Sequence, residues 1–425
     1  MPNTPTCLQF LWPQHPWPIL FIMVIYITLV RHLRYRRKQS IEGPFIYGRR
    51  DLSTMTTQEA HIIINQLQEL EFPYAFNKAR RIALLKAGGI PTMSKLFAAT
   101  GQNNKRNSGK RAVDTEILLR EAQSKARGDE RYGMAVARMN YLHARYRKSN
   151  KITTPDLLHT LGDGLAEILN VIEKSEWRNL TDVEICALGI FHKNLGEDMN
   201  IPFDVLPSYD GGWRDGMHFA KDLRDWTIRY EEDVARPVPT NDQYVNVYVD
   251  GAMGRFPGWM RVGVRRVLGA EVGERMRGSL CLEEPGPILL FILACIRETR
   301  RFCLRYLALP RVTPMKLVHE TADPKTKRYH FVRKGLQPWY MKPDFWSRWG
   351  TGALFVRILG GKVPGSRGDH YHPQGYDLMT IGPDPQRGRG TEEMTNNIEV
   401  IRARAVAMCP FPHGKAGGLD SIRSI

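Results

Sequence analysis

The chain has few cysteines, and none of them are paired at a metal-binding or redox spacing. Its six cysteines are spread across 425 residues without a C-x-x-C pair. This distribution argues against a zinc ribbon and against a disulfide framework. It is typical of a protein that works in a reducing compartment.

Several common catalytic motifs are also missing. The chain contains no G-x-x-x-x-G-K-[ST], no H-E-x-x-H, no G-x-S-x-G and no G-x-G-x-x-G after a predicted strand. Phosphate-loop, zincin, α/β-hydrolase and dinucleotide-binding functions therefore lack support. None of the cysteines lies in a Gly- and Arg-containing loop of the kind that holds a haem thiolate in cytochrome P450 enzymes, so a cysteine-ligated haem is not expected.

Charged side chains are absent from the first 30 positions, and residues 31–38 then carry five positive charges. Counted back to about residue 8, the uncharged stretch supplies the ~20 residues needed to cross a bilayer. The charge follows the apolar run and no small-residue cleavage site is present, which predicts an uncleaved signal anchor rather than a signal peptide. The positive-inside bias then places the body in the cytosol.

Flanking residues agree with a single membrane span. Trp12, Trp17 and Tyr26 suit the interfacial belt. The basic flank, expected on the cytosolic side, comprises Arg31, Arg34, Arg36, Arg37 and Lys38. The alternative is a buried N-terminal helix with a basic targeting tail, since Pro13, Pro16 and Pro18 weaken the start of the span. A cytosolic body also predicts that the sequon at Asn179 stays unmodified.

The whole chain has 61 Lys and Arg against 44 Asp and Glu, and the positive surplus outside residues 31–38 is diffuse. Because no zinc finger or RNA-binding signature accompanies it, no nucleic-acid partner is expected.

Helical periodicity from residue 55 to about 309 predicts a mainly α helical bundle. We divide the chain into an anchor with its basic flank at 1–38, a catalytic domain at 39–310 and an irregular Gly/Pro/Arg-rich region at 311–425, most of which is expected to be an extended or disordered tail.

Two local patterns predict where helices begin. Thr154-Pro155-Asp156 combines an N-cap with proline in the first turn, and Thr181 with Glu184 forms a capping box. The apolar run 286–296 is too short to span a membrane and leads into several arginines. A core helix is its preferred interpretation, and a second membrane contact is the alternative.

The segment 134–148 carries the main candidate ligand, His143. Val136, Met139, His143 and Tyr146 share one helix face, while Arg138 and Arg145 lie on another. An imidazole on an apolar face is often a core histidine, but it is also suited to ligate a haem iron in an apolar cavity. Arg138 and Arg145 are then candidates to bind the haem propionates, or simply form a solvated basic face.

A second candidate group precedes it at 109–115. Lys110, Arg111, Asp114 and Thr115 resemble a helix start capped by Asp114 or Thr115. If the segment covers a haem, Lys110 or Arg111 is placed to polarise dioxygen and Thr115 to donate a hydrogen bond to it.

Other histidines are weaker candidates. His159 lies opposite an apolar stripe and is expected to be partly exposed. His192, on a helix whose Gly189 and Gly196 leave room for a close helix or a flat ligand, is the alternative metal ligand. His370 and His372 form a weak metal pattern without a third strong ligand.

Longer runs of the sequence resemble a known family. They are FNKARRIALLKAGGIPTMSKLFAATG at 76–101, KRAVDT at 110–115, ARMNYLHARY at 137–146, DLLHTL at 156–161 and EWRNLTDVEICALGIFHKNLGEDMNI at 176–201. Together with the anchor they resemble the fungal ER-bound oxygenase family typified by mpaB of mycophenolic acid biosynthesis, which is related to the bacterial rubber oxygenases, or latex-clearing proteins. The resemblance spans about residues 72–310.

The resemblance implies an α-helical, globin-like core around haem b, with dioxygen as co-substrate and an isoprenoid chain as substrate. It implies that His143 is the proximal ligand and that Lys110, Arg111 and Thr115 line the distal side. We therefore expect an oxygenase of the endoplasmic reticulum membrane that attacks a C=C bond in a lipophilic, prenylated secondary metabolite. The alternatives are a non-haem metal oxygenase using His143 and His192 with a carboxylate, and a cofactor-free, membrane-anchored scaffold.

Overall fold

The structure, a computed structural model, describes residues 17–101, 104, 106–253, 257–332 and 335–405. The predictions for Trp12, Pro13 and Pro16 fall outside these residues, as does the end of the C-terminal region from 406 onward.

The prediction of a mainly α fold is confirmed, and one four-residue strand, Ser366–Asp369, is also present. The helices are α1 Trp17–Ile46, α2 Thr57–Gln66, α3 Pro73–Ala87, α4 Pro91–Ala99, α5 Ser108–Ser124, α6 Glu130–Lys148, α7 Thr154–Ser175, α8 Asp182–Asp198, α9 Gly216–Val234, α10 Pro239–Met253, α11 Arg261–Glu271, α12 Glu274–Ser279, α13 Pro287–Phe302, α14 Phe345–Trp349, α15 Thr351–Ile358 and α16 Thr391–Ala405.

Helix α1 is long and apolar enough to cross a membrane, and most of its side chains before residue 30 are exposed. Its buried residues are Val30, Arg34, Ile41 and Phe45. The interpretation of this segment as a helix buried in the body is therefore wrong. Arg34 donates to the carbonyl oxygen of Ala308 at 2.8 Å and Arg37 pairs with Glu71 at 2.6 Å, so the basic flank also attaches α1 to the body.

The core is built by α2, α3, α7, α8 and α9, which pack against one another in the pairs α8–α9, α3–α7 and α2–α8. Gly189 of α8 faces Gly216 of α9 so closely that a Cβ at Gly189 would lie 1.7 Å from the Gly216 carbonyl oxygen. A Cβ at Gly196 would lie 2.5 Å from the ring of Phe203. The room left by these glycines is thus filled by a neighbouring helix and an aromatic ring, not by a flat ligand.

The helix starts agree with the sequence in one case and differ in two. The capping box of Thr181 and Glu184 is present at the start of α8. The N-cap of α7 is Thr153, one residue before the predicted Thr154. Helix α5 begins at Ser108, so Asp114 and Thr115 lie inside it and are not its caps. Local sequence does not reveal this, because the Asp114 carboxylate accepts from Tyr340, which lies 226 residues further along the chain.

Helix α13 does not belong to the core. None of its residues is buried, and Ile288 and Phe291 are 76% and 69% exposed. The preferred interpretation of 286–296 as a core helix is therefore wrong. Apolar composition alone predicted burial, but the inner helices of the bundle already cover one another.

The C-terminal region is irregular, but its described part is not an extended or disordered tail. Residues 318–381 contribute a cluster of buried apolar and aromatic side chains, and α16 packs along α6. The cluster contains Val318, Phe331, Trp339, Tyr340, Tyr371, Tyr376, Leu378 and Ile381. The prediction of a tail is wrong here because aromatic anchors spaced irregularly along a loop give no periodic signal.

Candidate active site

His143, on α6, has a buried ring nitrogen without a hydrogen-bond partner. Its Nδ1 atom is among the buried side-chain atoms that no donor or acceptor reaches. Burial, together with the charges of Arg147 and Arg111, lowers the pKa of His143 to about 4. The imidazole is therefore neutral at pH 7 and has a lone pair to offer.

Arg111, on α5, lies close enough to His143 for its charge to act on the imidazole. The guanidinium carbon of Arg111 sits 3.9 Å from the centre of the Phe97 ring, so α4 covers it. Tyr244 of α10 lies near the same guanidinium, and its hydroxyl donates to the carbonyl oxygen of Leu84 at 2.6 Å. Four helices, α4, α5, α6 and α10, thus converge on a cation beside a neutral imidazole.

Thr115 follows Arg111 by one helical turn, so it lies on the same face of α5. Its side chain is half-buried. The structure therefore brings Arg111 and Thr115 of the predicted distal group to one helix face.

Lys110 has other partners. Its ammonium lies 2.8 Å from Asp114 and donates to the carbonyl oxygen of Gly382 at 2.6 Å. Asp114 in turn accepts from the hydroxyl of Tyr340 at 2.7 Å, and burial raises its pKa to about 6 against the opposing effects of Lys110 and Tyr340. Lys110 and Asp114 therefore bind the C-terminal region to α5. Lys110 is thus already bonded to two partners, and its distal role stays a prediction.

The two arginines predicted to bind propionates also lie elsewhere. Arg138 is fully buried and donates to the carbonyl oxygens of Ile381 at 2.7 Å and Gln386 at 3.0 Å. The solvated face is wrong for Arg138, because the C-terminal region covers this side of α6. Its role with a propionate stays a prediction. Arg145 is exposed, and its guanidinium carbon lies 4.8 Å from the centre of the Tyr146 ring. This position agrees with a solvated basic face.

His192, the alternative ligand, is 4% exposed and has a fixed tautomer. Its Nδ1 lies 2.7 Å from the carbonyl oxygen of Leu188, one turn earlier on α8. A nitrogen that donates to a carbonyl leaves Nε2 as the acceptor, and Nε2 points toward Gly164 of α7. Burial lowers the pKa of His192 to about 4, so this ring is neutral as well.

His159 is buried, at 1% exposure, which overturns the expectation of partial exposure. Its Nε2 lies 3.0 Å from Glu231 of α9. The polar face of α7 was expected in solvent, but α3 and α9 pack over it.

A buried charge cluster, which sequence reasoning missed, surrounds this histidine. The ammonium of Lys86 lies 2.6 Å from Asp163, 2.9 Å from Glu167 and 2.7 Å from Glu231. Among the described residues, His159, Asp163 and Glu231 also form the group whose ligand atoms are close enough to hold a metal ion. Lys86 already supplies a cation to those carboxylates. The sequence indicates only that Asp163 and Glu167 lie one turn apart on α7. It does not show that Lys86 of α3 and Glu231 of α9 join them.

His370 and His372 pack against aromatic rings. His372 stacks on Tyr340 with ring centres 5.3 Å apart, and His370 lies 5.4 Å from Trp339. Their role in the described region is therefore packing around the C-terminal aromatic cluster.

Comparison with known proteins places the chain among fungal enzymes. No family model matches it. It is 33% identical over 398 residues to the ER-bound oxygenase mpaB' of Penicillium brevicompactum, a match covering 93% of this chain and 94% of the relative. It is 32% identical over 383 residues to mpaB of the same organism, covering 89% of each, and 39% identical over 212 residues to mpaB of Penicillium roqueforti, covering 49% of this chain and 71% of the relative. On identity and coverage, the chain belongs to the mpaB family of ER-bound oxygenases.

Proposed function

We propose that this oxygenase uses haem b and dioxygen to cleave or oxygenate a C=C bond in a lipophilic, prenylated secondary metabolite. The observation that carries the proposal is the buried, unpartnered nitrogen of His143 beside Arg111. Unpaired buried polar atoms are rare in folded proteins, and one at a functional site often has a partner that binds later. In a family of oxygenases, the partner that suits a neutral imidazole is an iron ion.

The residues around His143 fit a haem in three respects. The imidazole is neutral, as a ligand must be. Arg111 supplies a cation, and Phe97 and Tyr244 supply aromatic surface next to it. Arg145 is left as the candidate for a propionate, because Arg138 is bonded to backbone carbonyls.

Each residue has a part in the proposed chemistry. A bound haem supplies the iron that activates dioxygen. When a haem is bound, His143 would hold its iron through a ring nitrogen. The Arg111 guanidinium, kept from water by the Phe97 ring, stabilises developing negative charge on oxygen, and the Thr115 hydroxyl is positioned one turn away to donate a hydrogen bond.

The membrane anchor serves the same reaction. A lipophilic substrate partitions into the bilayer, and α1 keeps the catalytic body beside it. The basic flank in α1, at residues 31–38, supports a cytosolic orientation of that body by the positive-inside bias.

The first experiment determines the cofactor. The full-length protein, purified in detergent, should show a strong haem absorbance band and an iron-to-protein ratio near one. His143→Gly should lose the band, and added imidazole should restore it. The control is His218→Ala: His218 lies on α9, where its ring is hydrogen-bonded with Ser208, and this variant should retain the band. His192→Ala decides between the two ligands: loss of the band only in this variant would reject His143.

Other outcomes of the same experiment identify the alternatives. Iron without porphyrin would indicate a non-haem oxygenase, and a colourless, metal-free protein would indicate a scaffold. The reaction is tested with ¹⁸O₂ and a lipophilic compound that carries a prenyl chain. Label in a carbonyl product of the shortened chain is expected, and oxygen uptake without any labelled product would contradict the proposed substrate class.

A further inference from the structure

Helix α13 presents an apolar surface that no described part of the chain covers. Ile288, Phe291 and Ile296 are 76%, 69% and 60% exposed, and Leu290 and Ile292 are nearly half exposed. A contiguous exposed apolar surface on a helix marks an interaction site. We propose that α13 lies in the cytosolic interface of the membrane that α1 spans, with these side chains among the lipid acyl chains.

The first argument is continuity between α13 and α1. The chain directly after α13 runs along α1, where the hydroxyl of Tyr26 donates to the carbonyl oxygen of Leu307 at 2.7 Å. Arg34 then donates to the carbonyl oxygens of Ala308 and Leu309 at 2.8 and 3.3 Å. Because the apolar part of α1 gives way to its basic flank at residue 31, these contacts hold the segment directly after α13 at the level where α1 leaves the membrane.

The second argument is the distribution of charge along α13. No acidic residue occurs from 286 to 297, and four arginines follow at 297, 300, 301 and 305. Arg300 attaches the basic end to the body, since it donates to the carbonyl oxygen of Ser175 at 2.6 Å and to Glu176 at 2.9 Å. An apolar helix that ends in arginines matches a leaflet whose acyl chains lie beside anionic headgroups.

The third argument is length. The apolar part, residues 287–296, rises about 15 Å, roughly half of a hydrocarbon core. It is too short to span the membrane and ends at Glu298 on one side and Glu284 on the other. An interfacial position lets both charged ends remain in water, which a crossing or deeply inserted helix would not allow.

Cys295 provides a probe at the right place, because it is exposed on α13. The full-length protein, with its other cysteines replaced, is labelled at Cys295 with an environment-sensitive dye and placed in nanodiscs containing phosphatidylcholine and an anionic phospholipid. The matched control carries the dye at Val400→Cys on α16, a position that is 47% exposed. We expect the Cys295 dye to shift to the blue and to be quenched several-fold more by brominated acyl chains than the control dye.

Equal quenching at the two positions would overturn the proposal. If a second copy of the chain covers α13 instead, the blue shift would appear only in nanodiscs holding two copies and quenching by brominated lipid would be absent. Replacing Ile288 and Phe291 with Gln should reduce quenching at Cys295 while α1 keeps the protein in the nanodisc. Haem absorbance, measured in the same samples, shows separately whether the cofactor proposal holds.

Discussion

Removal of the Lys86 ammonium tests whether the buried cluster depends on that one cation. The carboxylates of Asp163, Glu167 and Glu231 all lie within 2.9 Å of it, and the side chains of Lys86 and Asp163 are 8% and 2% exposed. Lys86→Met keeps the aliphatic stem but leaves three buried carboxylates without a cation. Breaking a buried ion pair on one side costs about 3–5 kcal/mol of unfolding free energy.

The matched control lies on the same helix. Lys78 is 2.7 Å from Glu271, but both side chains are partly exposed. Lys78→Met should therefore cost at most about 1 kcal/mol. With an unfolding entropy of about 2 cal/mol/K per residue, Lys86→Met should lower Tm by on the order of 4–6 °C, followed by tryptophan fluorescence in detergent.

The effect should also depend on pH. Burial raises the pKa of Asp163 above its ordinary value, with Lys86 opposing that rise. A group with a raised folded-state pKa binds its proton more firmly in the native state, so its stabilisation is complete at low pH and is lost as pH rises through the folded pKa. Because Lys86→Met removes the opposing cation, its deficit should grow from pH 5 to pH 8.

Two results would refute this reasoning. One is a loss no larger than that of Lys78→Met, and the other is a deficit equal at pH 5 and pH 8. Adding Glu167→Gln to Lys86→Met removes one orphaned charge and should recover part of the stability. No recovery would mean that packing rather than charge is responsible.

Three further predictions follow from the site and the anchor. Arg111→Met should slow oxygen consumption by on the order of 100-fold with haem retained. Lys110→Met should leave turnover unchanged and cost about 1–3 kcal/mol of unfolding free energy, because Asp114 loses its ammonium partner. The reverse pattern would support Lys110 as the distal cation. Arg138→Ala should release the segment around Gln386, seen as new tryptic cleavage there under native conditions, and unchanged digestion would show that Arg138 does not hold it. Asn179 is exposed, so it should remain without glycan in a fungal microsomal preparation while a sequon added before residue 1 is glycosylated; a glycan at Asn179 would reverse the proposed topology.

Sequence patterns identified His143 from the periodicity of its helix and Arg111 from a junction at the start of the next helix upstream, and both match family motifs. The charge of Arg111 helps to lower the pKa of the His143 imidazole, and the roles of the two residues stay predictions. Lys110 and Arg138 came from the same motifs, yet their donors are taken by Gly382, Ile381 and Gln386. Those partners lie more than 240 residues away in an irregular region, and no local pattern encodes them.

The sequence by itself determined the mainly α fold, the apolar first half of α1 with its basic flank, and the family, because these depend on composition, on the helical period and on ordered local motifs. Only the tertiary structure decided which polar side chains are buried and what they bind. His159 is buried because α3 and α9 cover the polar face of α7, and α13 is exposed because no described element covers it. Burial of a side chain depends on the neighbours that packing brings to it, and those neighbours come from anywhere in the chain.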